Sequence, residues 1–458
     1  MKELNQFKKK LHKEYTVKRP VSKALFQQAA AFLPGGDTRT ATFFRPFPHF
    51  IERGQGCYIW DVDGNKMVDF QNNYTSLLHG HAFMPVIKAV NEQMGMGTAY
   101  SAPNKAQIQL AKILCERIPS IDLLRFTTTG TEATMHAVRC ARAYTSKTKI
   151  LKLEGGYHGT SDIFETSVDP ELKKAGPIDA PRPIPDSLGV PKEVLNQVLV
   201  VPFNNIPVLK NVLEKWHKEI AAFIIEPIMG SAGMIEPLPG YLKAIRELTT
   251  HYNIVLIFDE IVTFRLTTGG AQQYYGVTPD LTTLGKPIGG GLPVGAFGGK
   301  AEIMKLYDPR DRIMYHSGAY NGNAVSMRAG IAALQFYGER EIFRINDLGR
   351  IFARRCTEIF SEMGLNAHIS GVGSLWNIVF SGKEITEYRG VAQSHEELNL
   401  LLNISLINKG VFNAPRGMFC MSTAMTENEV NFAANALKKS LTEMLPVIKE
   451  QAPELLND

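Results

Sequence analysis

Short apolar runs alternate with helix-like patterns through the middle of the chain. Several of these runs are rich in β-branched and aromatic residues and end abruptly at polar residues or glycine: 149–153, 198–201, 222–225, 254–258 and 281–284. Short continuous runs of this kind predict strands that are buried on both faces. Between them, apolar residues recur at helical spacing, as in 104–117 and 240–252. Strands that alternate with helices predict an α/β fold with a mostly parallel central sheet flanked by helices.

The pattern changes toward both ends of the chain, which predicts three parts. Residues 1–70 contain a helix at 21–33 and a hairpin that turns at Asp63-Gly64, and we expect them to pack with a smaller domain. Residues 71–337 form the large domain. Residues 338–458 form an α+β small domain, whose last helix begins with a capping-box spacing at Thr426 and Glu429. The proline-rich stretch 166–191 is expected to be a long loop, either a lid over a site or a surface excursion.

Composition narrows the class of protein. An apolar fraction of 44% and a charged fraction of 21% are ordinary for a globular protein, and a formal charge of +5 over 458 residues gives little support to nucleic-acid binding. No apolar run approaches the length of a membrane span. The five cysteines are scattered without CxxC spacing, which predicts a cytoplasmic protein with no disulfide and no metal site. Cys140 and Cys420 lie in apolar patterns and are expected in the core.

Two residues at strand ends carry the first chemical signal. Asp259 ends the apolar run 254–258, and Lys286 follows the run 281–284 through Gly285. Ligands of open α/β sheets bind at the carboxyl ends of strands, and a lysine in apolar surroundings is costly unless it is paired or used. Pyridoxal 5'-phosphate fits such a pair, because the lysine can hold the cofactor as a Schiff base while the aspartate pairs with the pyridinium nitrogen.

A polar turn after another strand predicts a phosphate site. Thr129, Gly130 and Thr131 lie between a short strand and a helix, where backbone N–H groups and hydroxyls can bind an anion. The alternative is that Thr131 only caps the helix. The helix itself is expected to present Met135, Val138, Ala141 and Tyr144 to the core.

Two further strand ends carry candidate residues. Tyr157 and His158 follow 149–153 in a glycine frame, and an aromatic ring there can stack on a flat cofactor or be buried for structural reasons. Glu226 follows 222–225, where it can orient Asp259, bond the cofactor hydroxyl, or pair with a structural arginine.

These residues lie in motifs that resemble class III aminotransferases. The motifs read FTTTGTEATMHAVRCAR, LEGGYHG, IIEPI, LIFDEIVTFR and PDLTTLGKPIGGGLPVGAFGG, and the resemblance extends over about residues 33–440. It is strongest to the branch of glutamate-1-semialdehyde aminomutase and β-phenylalanine aminotransferase. The resemblance implies a fold type I pyridoxal-phosphate transferase with its active site at the interface of a homodimer.

The same resemblance implies roles for individual residues. Lys286 would be the Schiff-base lysine and Asp259 the pyridinium partner. The turn 129–131 would hold the phosphate, Tyr157 would stack on the ring, and His158 and Glu226 would lie against the cofactor. A threonine that usually reaches the phosphate across the dimer is replaced here by Ala319, which we expect to weaken cofactor binding.

The segments LPGGDTRTATFFRPFP and NAPRG resemble the β-phenylalanine aminotransferase version of the family. This likeness places Arg39 and Arg416 near the substrate, where a guanidinium can bind a carboxylate through two hydrogen bonds. Arg416 could alternatively be a surface arginine in a turn. Arg45 is expected to be exposed or structural.

The resulting functional hypothesis is an aminotransferase. It would move an amino group from an amino acid, such as the β-amino acid β-phenylalanine, to a keto acid such as 2-oxoglutarate. The alternative is an isomerase that uses the same lysine and aspartate, either a glutamate-1-semialdehyde-type aminomutase or an amino-acid racemase. A nucleotide-binding dehydrogenase is disfavoured, because the glycines follow Lys286 and form no GxGxxG after a first strand. A catalytically silent cofactor-binding protein is disfavoured by the intact Lys286 and Asp259.

Overall fold

The computed structural model describes residues 1–457, and its strands form three sheets. The strands are β1 (Ile51–Gln55), β2 (Tyr58–Asp61), β3 (Lys66–Asp69), β4 (Leu123–Thr127), β5 (Lys149–Leu153), β6 (Val198–Val201), β7 (Ile220–Ile225), β8 (Val255–Asp259), β9 (Leu281–Gly285), β10 (Gly295–Gly299), β11 (His368–Val372), β12 (Leu375–Val379), β13 (Val411–Phe412) and β14 (Met418–Cys420).

Helices surround these sheets, and the two longest lie in the C-terminal third of the chain. The helices are α1 (Lys2–Val17), α2 (Pro20–Ala29), α3 (Asn72–Thr75), α4 (Met84–Met96), α5 (Lys105–Arg117), α6 (Gly130–Thr145), α7 (Leu172–Ala175), α8 (Lys192–Leu195), α9 (Ile206–Trp216), α10 (Tyr241–His251), α11 (Gly270–Tyr275), α12 (Ala301–Met304), α13 (Ala324–Gln335), α14 (Glu339–Glu362), α15 (Tyr388–Ala392), α16 (Glu396–Asn408) and α17 (Glu427–Gln451). Within residues 1–457, no helix contains an apolar stretch that could cross a membrane.

The central sheet has seven strands in the order β4-β10-β9-β8-β7-β5-β6. Strands β5 to β9 pair in parallel, and β10 is antiparallel to both of its neighbours, β4 and β9. Every residue of β7, β8 and β9 is buried, as their continuous apolar sequences predict. Because β4 and β9 both oppose β10, β4 runs in the same direction as the parallel strands. The carboxyl ends of β4, β5, β7, β8 and β9 therefore meet at one edge, and the predicted α/β fold class is confirmed.

The two ends of the chain are joined in a second sheet of order β1-β2-β3-β13. The hairpin of β2 and β3 turns at Gly64, which has a φ of 83°. Strand β13, from the C-terminal part, pairs in parallel with β3. This pairing is short, because β13 contains only Val411 and Phe412. The domain boundaries near 70 and 337 stay a prediction.

Three expectations about helices need correction. The helix expected over 21–33 ends at Ala29, and a separate helix α1, which we did not predict, precedes it. Helix α1 buries Phe7, Leu11 and Tyr15, which are spaced four residues apart and so form one face. In α6 the buried face includes Val138 and Ala141, but Met135 is only partly buried and Tyr144 is 44% exposed. A strict period of three drifts around a helix of 3.6 residues per turn, so the ends of the proposed stripe leave the core.

The proline-rich stretch 166–191 is fastened to the body of the protein. Lys152 of β5, which is fully buried, donates to the carbonyl oxygens of Thr166 (2.5 Å) and Ser167 (3.3 Å). Arg389 of α15 donates to Glu154 at 2.7 and 2.9 Å and to the carbonyl of Gly176 at 2.8 Å. These contacts favour a fixed connection over the lid that the sequence left open.

We expect Arg389→Ala to destabilise the protein by about 3 kcal/mol, because removal of one partner from a buried ion pair leaves an uncompensated charge. Glu154 is fully buried, and Arg389 is 11% exposed. Lys438→Ala is the matched control: Lys438 pairs with Glu362 at 2.6 Å, but both side chains are more than half exposed. That change should cost less than about 1 kcal/mol. Urea unfolding measures both effects, and hydrogen exchange of 166–191 should accelerate only in Arg389→Ala. Equal losses of unfolding free energy in Arg389→Ala and Lys438→Ala would contradict the role of the Arg389–Glu154 ion pair in fastening the segment 166–191.

Candidate active site

The residues singled out in the sequence lie along the edge where the strand ends meet. Thr129 follows β4, Tyr157 and His158 follow β5, Glu226 follows β7, Asp259 ends β8 and Lys286 follows β9. Ligands of open α/β sheets bind at this edge. The sheet order therefore brings side chains together that are up to 157 residues apart in sequence.

Lys286 has an unusual backbone and a perturbed side chain. Its φ is 43°, in the left-handed region that non-glycine residues rarely adopt. Burial lowers the pKa of its ammonium, and the nearby carboxylates of Asp259 and Glu226 act in the opposite direction. A lowered pKa increases the fraction of neutral amine at a given pH. A neutral amine is the form that acts as a nucleophile or a base.

Asp259 is held in place from two sides. Its Oδ2 atom lies 2.8 Å from Nδ1 of His158, and its Oδ1 atom accepts a hydrogen bond from the Ile261 N–H at 3.2 Å. Both side chains of the Asp259–His158 pair are buried. His158 thus positions the Asp259 carboxylate, while its Nε2 atom is buried and has no partner within residues 1–457. The contact of His158 with the cofactor, expected from the sequence, stays a prediction.

Glu226 is held by the chain around it. It accepts hydrogen bonds from the Tyr157 N–H at 3.0 Å, the Ser231 hydroxyl at 2.7 Å and the Gly230 N–H at 3.1 Å. Burial raises its pKa. Within residues 1–457 no arginine forms an ion pair with Glu226, so the structural arginine considered as its partner is not found. By fixing the Tyr157 backbone, Glu226 sets the direction of a tyrosine ring that is 45% exposed.

The polar turn after β4 is a capped helix start with free donors. Thr129 is the N-cap of α6, its hydroxyl accepts the Glu132 N–H at 3.2 Å, and Glu132 reaches back to the N–H of Thr129. The cap is therefore Thr129, and the alternative that Thr131 caps the helix is wrong. The N–H groups of Gly130 and Thr131 are in the first turn, where a helix offers no acceptor of its own. These two donors can bind an anion at the positive end of the helix.

Arg39 and Arg416 both lie within electrostatic range of Tyr74. Burial raises the pKa of Tyr74, and the positive charges of both arginines oppose that rise. The charge of Arg39 also opposes the raised pKa of Tyr157 and contributes to the lowered pKa of Lys286. Arg416 donates to the Ser231 carbonyl at 3.2 Å, and both guanidinium side chains are exposed. Arg39 thus lies within electrostatic range of Lys286, Tyr74 and Tyr157, and Arg416 lies within range of Tyr74.

Several residues around this site carried no signal in the sequence. Asn73 and Tyr74 contact Arg39, and Ser231 binds Glu226. The buried Arg265 donates to the carbonyl of Thr75, the residue after Tyr74. The NNY segment could have been noticed, because asparagine tolerates left-handed backbone better than most residues. Nothing local to Ser231 distinguishes it from an ordinary loop serine.

Comparison with known proteins places this geometry in one family. Residues 41–426 match the family described as aminotransferase class-III. The glutamate-1-semialdehyde 2,1-aminomutase of Methanocaldococcus jannaschii is 39% identical over 409 residues, which cover 89% of this chain and 94% of that protein. Other curated relatives with the same name are 37–39% identical.

Solved structures include enzymes named as transaminases. An ω-transaminase from Sphaerobacter thermophilus has a TM-score of 0.90 and 39% identity, covering 92% of this chain and 97% of its own. A β-phenylalanine aminotransferase from Variovorax paradoxus has a TM-score of 0.88 and 32% identity, and the match covers 96% of this chain and 98% of that chain. The fold, the residues at the strand ends and these matches agree, and the chain belongs to the class III aminotransferase family.

Proposed function

We propose that this protein is a pyridoxal-phosphate-dependent aminotransferase that moves an amino group from an amino acid to a keto acid. The donor would be a β-amino acid such as β-phenylalanine, and the acceptor 2-oxoglutarate or a similar keto acid. The observation that carries this proposal is the pair of exposed arginines, Arg39 and Arg416, whose charges both act on Tyr74, with Arg39 also within electrostatic range of Lys286. Two guanidinium groups can bind the single carboxylate of the donor as well as both carboxylates of a dicarboxylic acceptor.

The residues at the strand ends fit pyridoxal 5'-phosphate. The cofactor needs a lysine for its aldehyde, an acid for its ring nitrogen and donors for its phosphate. Lys286 is a buried lysine with a lowered pKa, and Asp259 is a buried carboxylate held by His158. The free N–H groups of Gly130 and Thr131 can supply the phosphate donors, and the partly exposed ring of Tyr157 is the candidate for stacking on the cofactor.

Each residue then has a defined task. The bound cofactor supplies an electron sink for the bond that breaks beside the amino nitrogen. Asp259 holds a proton at the ring nitrogen, and His158 keeps the carboxylate in the direction that this requires. Lys286, once its amine is free, takes the proton from the carbon that carries the nitrogen and returns it at the end of the transfer. Its lowered pKa favours the neutral amine that accepts this proton.

An isomerase is the second candidate, and the names of the curated relatives favour it. Relatives 37–39% identical are named glutamate-1-semialdehyde 2,1-aminomutase, whereas the β-phenylalanine aminotransferase is 32% identical. An aminomutase would use Lys286 and Asp259 in the same way and return the amino group to the same carbon skeleton. The segments around Arg39 and Arg416 support the aminotransferase instead.

The proposal includes a homodimer in the cytoplasm. Family resemblance supports a site at the dimer interface, and the scattered, unpaired cysteines suit a reducing compartment. Ala319, where relatives place a threonine for the phosphate of the other subunit, is exposed in the single chain.

Replacement of Lys286 by alanine should abolish the visible absorbance that a lysine-linked cofactor gives, because it removes the amine that follows β9 within electrostatic range of Asp259. The protein should still fold, and added cofactor should be removable by dialysis. Lys300→Ala, which changes an exposed lysine paired with Asp280, is the control and should keep the absorbance. An unchanged spectrum of dialysed Lys286→Ala would exclude Lys286 as the anchor.

Omission of the keto acid should separate the two candidate reactions. With β-phenylalanine alone, an aminotransferase converts one equivalent of donor for each site and stops, because the amino group stays on the enzyme. Addition of 2-oxoglutarate should restart turnover. Glutamate 1-semialdehyde alone should likewise give no continuing reaction. Sustained conversion of that compound without an acceptor would instead establish the isomerase.

The Arg416→Ala variant should raise the KM for 2-oxoglutarate by roughly tenfold or more, since a hydrogen bond to a charged group is worth about 1.5–3 kcal/mol. Arg45→Ala provides the control, because Arg45 is an exposed arginine of the N-terminal segment that is not expected to bind substrate. Steady-state kinetics with both substrates varied measures the effect. Unchanged KM values for donor and acceptor would remove the carboxylate role from Arg416.

A further inference from the structure

The segment Asn72–Thr75 is a turn of left-handed helix built without glycine. Its φ angles are 50°, 48°, 51° and 74° in chain order. In this region the Cβ atom of an L-residue crowds the following carbonyl oxygen, so single residues adopt it rarely and consecutive ones more rarely still. Strained backbone of this kind persists only where surrounding contacts hold it, and it concentrates at functional sites. The turn lies between β3 and the arginines of the candidate active site.

Buried contacts hold the turn at both of its ends. Asp69 Oδ1 accepts the Asn72 N–H at 2.8 Å, and Asn72 Nδ2 donates to the Cys420 carbonyl at 2.8 Å. At the other end, the buried guanidinium of Arg265 donates to the Thr75 carbonyl at 3.3 Å. The first and last residues of the turn are therefore the ones that fix it, and both are buried.

The two central residues point away from these contacts and toward Arg39. Asn73 is exposed, and its Oδ1 atom accepts a hydrogen bond from Arg39 Nη1 at 2.8 Å. The Arg39 guanidinium carbon lies 5.3 Å from the centre of the Tyr74 ring, within the range of a cation–π interaction. The Tyr74 hydroxyl donates to the Ala41 carbonyl at 2.5 Å, which ties the turn to the segment that carries Arg39.

The backbone of Arg39 has its own support, since Asp37 Oδ1 accepts the Arg39 N–H at 3.3 Å. The contact with Asn73 therefore acts on the guanidinium. It uses one nitrogen of a group with five N–H donors in a fixed fork, and within residues 1–457 the Nε and Nη2 atoms have no hydrogen-bond acceptor. Because the asparagine amide is neutral, it fixes one edge of the guanidinium and leaves the positive charge available at the other.

We propose that Asn73 is a positioning residue for substrate recognition: the left-handed turn holds its amide against one edge of Arg39, so that the opposite edge faces the substrate carboxylate. This inference rests on the proposed carboxylate role of Arg39. It explains why the chain keeps a strained turn of non-glycine residues at this place, because a relaxed turn would direct the Asn73 amide elsewhere.

The test is a double-mutant cycle with the holoenzyme, with β-phenylalanine and 2-oxoglutarate as probes. Asn73→Gly removes the amide but keeps a residue that tolerates left-handed backbone. It should raise the KM for β-phenylalanine about three- to tenfold and change kcat less than about twofold, as expected for loss of one hydrogen bond that orients a binding group. In an Arg39→Ala background, Asn73→Gly should cause no further change in KM. Asn253→Gly, the same replacement at a remote left-handed position with a φ of 52°, is the control and should leave both constants unchanged.

Different outcomes overturn different statements. A raised KM in Arg39→Ala together with a normal KM in Asn73→Gly would overturn the positioning role and leave the proposed function intact. Additive effects of the two changes on KM, or an equal effect of Asn253→Gly, would also reduce Asn73 to a structural residue. An unchanged KM in Arg39→Ala would remove the carboxylate role of Arg39 from the proposed function, and the role of Asn73 would fall with it.

Discussion

Burial of Lys286 next to two carboxylates is the constraint on which the rest of the candidate site depends. A buried ammonium or carboxylate is costly unless each group has partners, so the surrounding chain has to supply them. His158 and the Ile261 N–H hold Asp259, while Ser231 and two backbone N–H groups hold Glu226. These partners come from segments that follow three different strands. The sheet therefore fixes the electrostatics of the site, because a shift of any one strand would leave a buried charge without its partner.

Much of this arrangement could be predicted from the sequence, for a physical reason. Runs such as VLIFD are continuous and apolar because both faces of the strand are covered, and the polar residue that ends each run must lie at the edge of the sheet. Once the fold class was predicted, Asp259, Lys286 and Glu226 could be placed at the same edge without knowledge of any contact. The capping-box spacing at Thr426 was equally local, and the structure contains it.

The features that could not be predicted depend on contacts between distant parts of the chain. The contact between His158 and Asp259 joins residues 101 positions apart, and it depends on the place of β8 in the sheet, next to β7 and two strands from β5. The pairing of Asn73 with Arg39 joins two irregular segments that have no periodicity. Lys152 resembles any strand lysine in sequence, yet it is fully buried against the carbonyls of the proline-rich segment. Propensity and periodicity describe neighbours along the chain, and these contacts are not between such neighbours.

The two candidate reactions share Lys286 and Asp259, so the strand ends cannot distinguish them, and the difference must lie in the fate of the deaminated product. An isomerase has to retain that product until the amino group returns, which requires a closed site. An aminotransferase has to release it and admit an acceptor. Lys152 and Arg389 fasten the segment 166–191 to β5 and its neighbourhood, which makes it a poor candidate for a moving cover. Arg39 and Arg416 are both exposed in the single chain. If Arg39 and Arg416 bind the substrate carboxylate, as we propose, their exposed side chains suit the exchange of donor and acceptor, whereas the names of many relatives support the isomerase.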